Sequence, residues 1–175
     1  MSATFETKRA EELLDAEFIA KWRDRQAIDA RARAVLLAIL ERFIAAGGPV
    51  SVESVAAFFP GQDPAEVHGA IARLDEKDLI LVQDGQVKVA YPFAGTPTPF
   101  LAVLPDGRER YAVCAIDALG VPVLLGQPVV IRSRCHHCRQ QMELDVGPAG
   151  PVGGAEAMVW VGERGEIREK AYATL

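Results

Sequence analysis

The sequence predicts an α+β protein, with an N-terminal helical, winged-helix-like module followed by a mixed, mainly antiparallel β core with short helices. Three observations carry this expectation. Residues 10–46 are dominated by Ala, Leu, Glu and Arg with apolar residues at helical spacing; Asp84-Gly85 joins two β-rich runs; and beyond the turn-rich stretch AGTPTP (94–99), short apolar runs replace the helical pattern.

The first element reads EELLDAEFIAKWRDRQAI and the second DARARAVLLAILERFIAAGG. In the second, Val35, Leu36, Ile39, Leu40 and Phe43 form one apolar face, and Gly47-Gly48 supplies a C-terminal stop. Ser51 is an N-cap candidate with Glu53 and Ser54 behind it. Asp63 is another, and Pro64 follows it at the first helical position, where a missing N–H costs nothing. After that helix, LILVQ and QVKVAYPF flank Asp84-Gly85, a strong hairpin signal. Three helices and a hairpin give the order of a winged helix-turn-helix. Its third helix carries only His68, Arg73 and Lys77 against Glu66, Asp75, Glu76 and Asp78, a poor match to a phosphate backbone, so a packing module is expected rather than a DNA reader.

The turn at 94–99 divides the chain into expected domains 1–93 and 94–175. In the second, FLAVLPDGRERYAV reads as two strands around Pro-Asp-Gly, ALGVPVLLG as a short apolar segment, and QPVVIRSRCHHCRQQMELDVGP as two strands broken at CHHC. PAGPVGG reads as loop, AEAMVWVG as a strand with Trp160 in the core, and ERGEIREKAYATL as a polar helix.

Composition narrows the function. Of 175 residues half are hydrophobic and a quarter charged, as in ordinary globular proteins. Lys+Arg 19 against Asp+Glu 24 gives a net charge of -5, which offers no general attraction to nucleic acid. No apolar run reaches the roughly 18 to 20 residues needed to span a bilayer, and the charged start MSATFETKRAEELLD lacks an apolar leader core. The expectation is a cytoplasmic protein with no membrane partner. Its three cysteines, Cys114, Cys135 and Cys138, are an odd number, which points to free thiols or metal ligands rather than a disulfide framework.

Cys114 and Asp117 lie in YAVCAIDALG, where a strand pattern gives way to an apolar segment. A helical turn starting at Cys114 would put thiol and carboxylate on one face. A helix N-terminus favours the thiolate, whereas the carboxylate disfavours it yet can accept and return a proton. A buried cysteine beside a helix-capping aspartate fits the same spacing. Cys135-His136-His137-Cys138 is a C-x-x-C with two imidazoles, suited to a soft or borderline ion such as Zn(II), Cu(I) or Hg(II). A closed zinc site needs four ligands, and Cys114 and His68 are the remaining candidates. A redox pair and a metal-free turn also fit. Arg132 and Arg134 either lower the thiol pKa values or solvate a sheet face.

The stretch DGRERYAVCAIDALGVPVLLGQPVVIRSRCHHCRQQMELDVGP resembles the alkylmercury (organomercurial) lyase family. The family repeats a YAWCALDTL-type segment, a proline before a hydrophobic-Gly step, and Ser-x-Cys on the next strands, in that order. GGPVSVESVAAFFP (47–60) also resembles the family's helical N-terminal region. The resemblance implies protonolysis of carbon–mercury bonds, giving a hydrocarbon and Hg(II), a role in mercury resistance, and no required cofactor. It makes Cys114 the first catalytic cysteine and Asp117 the proton-handling aspartate, while Cys135 matches a family cysteine regarded as structural and Cys138 has no counterpart.

The family keeps a further catalytic cysteine in a Phe-Cys-type segment beyond AMVWVG, and no cysteine follows Cys138 here. Three explanations compete. Cys135 or Cys138 replaces it, making Cys114, Cys135 and Cys138 the metal ligands; the protein is a non-catalytic soft-metal (Hg, Zn or Cu) binder or metal-responsive winged-helix regulator; or the chain is truncated, including by a stop codon read as selenocysteine. The expected partners are an organomercurial, a mercury-accepting thiol or reductase, and a second copy in a homodimer; Zn(II) at the cysteine cluster is the alternative ion.

Overall fold

A computed structural model describes residues 9, 12, 16–154 and 157–159. Helices α1 (Ala16–Gln26) and α2 (Ala30–Ala46) open the chain. The Asp29 side chain caps α2 by accepting from the Ala32 N–H at 2.7 Å. Gly47, left-handed at φ 73°, ends it by donating to the Phe43 carbonyl. A short strand β1 (Val50–Ser51) leads into α3 (Val52–Ala56), where the Ser51 hydroxyl accepts from the Ser54 N–H at 3.0 Å. Helix α4 (Pro64–Glu76) begins with Asp63 as cap and Pro64 in its first turn. Strands β2 (Ile80–Gln83) and β3 (Gln86–Ala90) then form a hairpin through Asp84 and Gly85, both at positive φ as a tight two-residue turn requires.

The second half carries β4 (Phe93–Ala94), β5 (Leu101–Val103), β6 (Glu109–Ala112), α5 (Ala115–Leu125), β7 (Val129–Arg134), β8 (Gln141–Gly147) and β9 (Gly150–Val152). All strand pairings are antiparallel, in the order β1-β3-β4-β6-β5-β7-β8-β9, with β2 also on β3. The mixed helices and antiparallel sheet agree with the α+β expectation. Three short strands differ from the sequence reading: β1 forms at Val50–Ser51 by pairing with β3. β9 forms within PAGPVGG because Gly147 and Gly150 reverse the chain onto β8, and β4 forms at the start of the expected linker by pairing with both β3 and β6. Of AEAMVWVG, residues 157–159 take no strand; Trp160, the rest of that segment, the C-terminal helix and the start of the first helix lie outside the described residues.

The helices pack on the sheet through one core. Val35, Ile39 and Phe43 of α2, Val67 and Leu74 of α4, Val87 of β3, Phe93 of β4, Val121 of α5 and Val146 of β8 are all essentially inaccessible to solvent and belong to one apolar cluster. Each such side chain contributes about 1.5–3 kcal/mol of burial. Arg110 ties the halves together: from β6 its guanidinium donates to the Ile44 and Ala45 carbonyls at 2.6 and 2.8 Å, satisfying the open C-terminal end of α2. This framework fixes where β6 ends and α5 begins.

Candidate active site

Cys114 stands at that junction. β6 ends at Ala112, the Val113 N–H donates to the Pro92 carbonyl, and Cys114, in extended backbone, becomes the N-cap of α5. The Asp117 N–H donates to the Cys114 sulfur at 3.4 Å, and the Cys114 thiol donates to Asp117 Oδ2 at 2.9 Å. The i and i+3 spacing therefore brings thiol and carboxylate together, with the cysteine as the cap and the aspartate in the first turn.

The electrostatics resolve a competition that the sequence left open. Burial above all, then the hydrogen bond and negative charge of Asp117, push the Cys114 thiol up to about 12; the N–H groups of Asp117 and Ile116 oppose this and lose. Burial also raises the Asp117 carboxyl above its ordinary range, against the stabilising bonds from Cys114. In this geometry the thiol is the donor and Asp117 Oδ2 the acceptor, so the shared proton sits on sulfur. The sulfur becomes a ligand when an electrophile displaces that proton, and the carboxylate is in place to take it.

The other two cysteines lie elsewhere. Cys135 follows β7 and Cys138 is exposed in the turn to β8. Leu101 of β5 pairs with Tyr111 of β6 on one side and Arg132 of β7 on the other, so Cys114 and Cys135, each three residues further, share one end of the sheet. Two strand spacings separate them, about 10 Å at the backbone. Among the described residues no three His, Cys, Asp or Glu side chains converge on one ion position. The structure thus does not assemble Cys114, Cys135 and Cys138 as a joint ligand set, because the Cys114 thiol turns to Asp117 and the other two close their own turn.

Arg132 donates to Glu143 at 2.8 Å and reaches Glu109 at 3.5 Å, an ion-pair row on an exposed sheet face rather than a thiol activator. His68 is exposed on α4, as its helix position suggested. Sequence reasoning missed Arg139, which adopts left-handed backbone at φ 61° directly after Cys138 and donates to the Cys135 carbonyl at 2.9 Å. Nothing in the residue type signals this, since glycine or asparagine is the usual occupant.

A half-buried thiol hydrogen-bonded to a carboxylate at a strand-to-helix junction, on an antiparallel α+β frame, is an arrangement that can pass a proton between sulfur and oxygen. Comparisons with known proteins specify it further. The alkylmercury lyase family model matches residues 93–174. An alkylmercury lyase of Staphylococcus epidermidis is 37% identical over 109 residues, and those of Bacillus cereus and Streptomyces lividans are 32% and 31% identical over the same length. In each case the match covers 62% of this chain and 48% of the relative, so the chain spans about half the length of the curated relatives it matches. A crystal structure of the mercury-bound form of MerB2 shares the fold, with a TM-score of 0.63 at 21% identity over 77% of this chain and 65% of that one. Residues 93–174 thus resemble the alkylmercury lyase family, and the chain as a whole fits a partial member of it.

Proposed function

We propose that the chain cleaves carbon–mercury bonds by protonolysis, with Cys114 as the mercury ligand and Asp117 as the proton carrier. The observation that carries this reading is the 2.9 Å bond from the Cys114 thiol to Asp117 Oδ2 in a partly buried site. An organomercury cation meets the sulfur, a Hg–S bond forms, and the thiol proton passes to Asp117. The carboxylic acid then delivers that proton to the mercury-bound carbon as the C–Hg bond breaks. The products are R–H, a regenerated carboxylate and Hg(II) on the Cys114 sulfur. No redox change occurs and the sequence of steps calls for no cofactor; an external thiol, or a thiol of the chain, takes up mercury's second position.

The N-terminal residues 1–93 are proposed to act as a winged-helix-like support to the 94–175 core. Supporting this reading, helices α2 to α4 precede the β2–β3 hairpin, and α4 buries Val67, Ala70, Ile71 and Leu74 while leaving a mixed-charge face. A packing role suits that face better than DNA binding. No helix among the described residues is long and apolar enough to cross a membrane, and a cytoplasmic setting in a mercury-resistant cell is part of the proposal.

The test is phenylmercury or methylmercury cleavage in excess thiol. Wild type is expected to release the hydrocarbon, and Cys114→Ser and Asp117→Ala to lose that activity while remaining folded. A wild-type protein that binds Hg(II) without cleaving either compound rejects the enzymatic reading in favour of a soft-metal binding protein, for which the CHHC turn is the supporting feature.

A further inference from the structure

The CHHC turn sets its thiols differently from Cys114: Cys135 and Cys138 are the first and fourth residues of one tight turn, Cys135 half-buried and Cys138 exposed. The turn is closed on itself by two backbone bonds, Cys135 N–H to the Gln140 carbonyl at 2.8 Å and Arg139 N–H to the Cys135 carbonyl at 2.9 Å. Arg139 accepts a left-handed conformation, φ 61°, to make this closure. The result is a closed loop that carries two free cysteines three residues apart at the tip of an exposed hairpin.

Ligand count excludes a closed zinc site and leaves a soft two-coordinate ion. Zinc asks for four donors, and among the described residues no third His, Cys, Asp or Glu joins this pair. Two thiolates suffice for a soft ion that accepts two-coordination, and Hg(II) is such an ion. We infer that Cys135 and Cys138 form a second mercury site, a bis-thiolate chelate for Hg(II) separate from Cys114, which receives the ion released at the same end of the sheet. The receiving role rests on the lyase reading above; the chelate itself does not. On capture two S–H bonds are lost, two Hg–S bonds form, and two protons pass to solvent as mercury's previous ligands depart; transfer from Cys114 returns one proton to that sulfur. The oxidation state of mercury is unchanged.

The experiment uses the full chain, wild type and as Cys114→Ser, Cys138→Ser and the double variant Cys135→Ser/Cys138→Ser, each loaded with one equivalent of mercuric chloride and challenged with excess glutathione. Far-UV circular dichroism checks folding, and His136→Ala/His137→Ala serves as a turn variant that keeps both thiols. Because the two thiols act as a chelate, Cys114→Ser and the histidine variant are expected to retain one mercury per chain with two sulfur neighbours by X-ray absorption. Cys138→Ser is expected to hold it about 100-fold or more less tightly. Equal retention by Cys138→Ser and Cys114→Ser overturns the chelate, as does mercury shared between two chains. The double variant separates the two readings: phenylmercury cleavage with lost retention supports both, whereas a Cys114→Ser chelate in a protein whose wild type cleaves nothing rejects the lyase reading alone.

Discussion

Replacing Asp117 by Asn separates mercury capture from proton delivery, because the two depend on that carboxylate with opposite sign. The Cys114 thiol is pushed up to about 12, leaving about one thiolate in 10⁵ at neutral pH. Burial is the largest cause and survives the substitution, while the bond to Asp117 and its negative charge, the second and third, are removed. The thiol should therefore titrate below about 12 and still above the ordinary 9.0. Each pH unit of that fall raises the thiolate fraction tenfold, so iodoacetamide should alkylate Cys114 roughly ten to a thousand times faster at neutral pH. The assay is run in a Cys135→Ser/Cys138→Ser background, so that one thiol reports. In the same protein, loss of the proton carrier should slow hydrocarbon release by about 10²- to 10⁴-fold. A thiol that reacts faster in an enzyme that turns over slower is the signature of the proposed pair. An unchanged or slower alkylation rate, or an undiminished turnover, refutes the reasoning.

Four further outcomes follow from the structure. Cys114 keeps its proton in the folded chain until about pH 12, whereas an unfolded thiol loses it near 9.0. Its contribution to stability is therefore complete below the unfolded value and is lost as pH rises through the folded one; the stability advantage of wild type over Cys114→Ser, from urea unfolding, should shrink between about pH 9 and about pH 12. A Cβ at Gly95 would meet the Lys88 carbonyl oxygen and the Pro49 nitrogen at 2.9 Å, both backbone atoms, so Gly95→Ala should cost about 1–3 kcal/mol. By contrast Gly120→Ala, in the middle of α5 with nothing within 4 Å, should stabilise by up to about 1 kcal/mol, and melting temperatures decide both. Arg110→Lys loses the planar fork that spans the Ile44 and Ala45 carbonyls, and thermal unfolding should register a loss of about 1–3 kcal/mol.

Much of the fold was legible because its signals are local. Ser51 and Asp63 cap helices where polar side chains precede apolar periodicity, Gly47 stops α2, and Asp84-Gly85 turns the hairpin. What escaped is non-local. β4 is two residues long and exists only because β3 and β6 lie on either side of it, and β1 only because β3 pairs with Val50 and Ser51. The site followed the same division. The Cys114 to Asp117 spacing was readable, and the structure brings the two into hydrogen-bond contact. The direction of the thiol's pKa was not, since it turns on burial, which outweighs the helix N-terminus only once β6 and α5 are packed. Grouping Cys114 with Cys135 and Cys138 rested on shared residue type. Strand order decides otherwise, because β5 lies between β6 and β7 and holds the two positions two strand spacings apart.

The central claim is that a proton held between Cys114 and Asp117 ends on the carbon released from mercury. That proton exchanges with solvent, so phenylmercury cleaved by wild type in D₂O with excess thiol should yield benzene carrying one deuterium, detected by gas chromatography with mass spectrometry. Cys114→Ser and Asp117→Ala should yield none above the thiol-only background. Mercury bound to wild type with no deuterated benzene released would contradict the account.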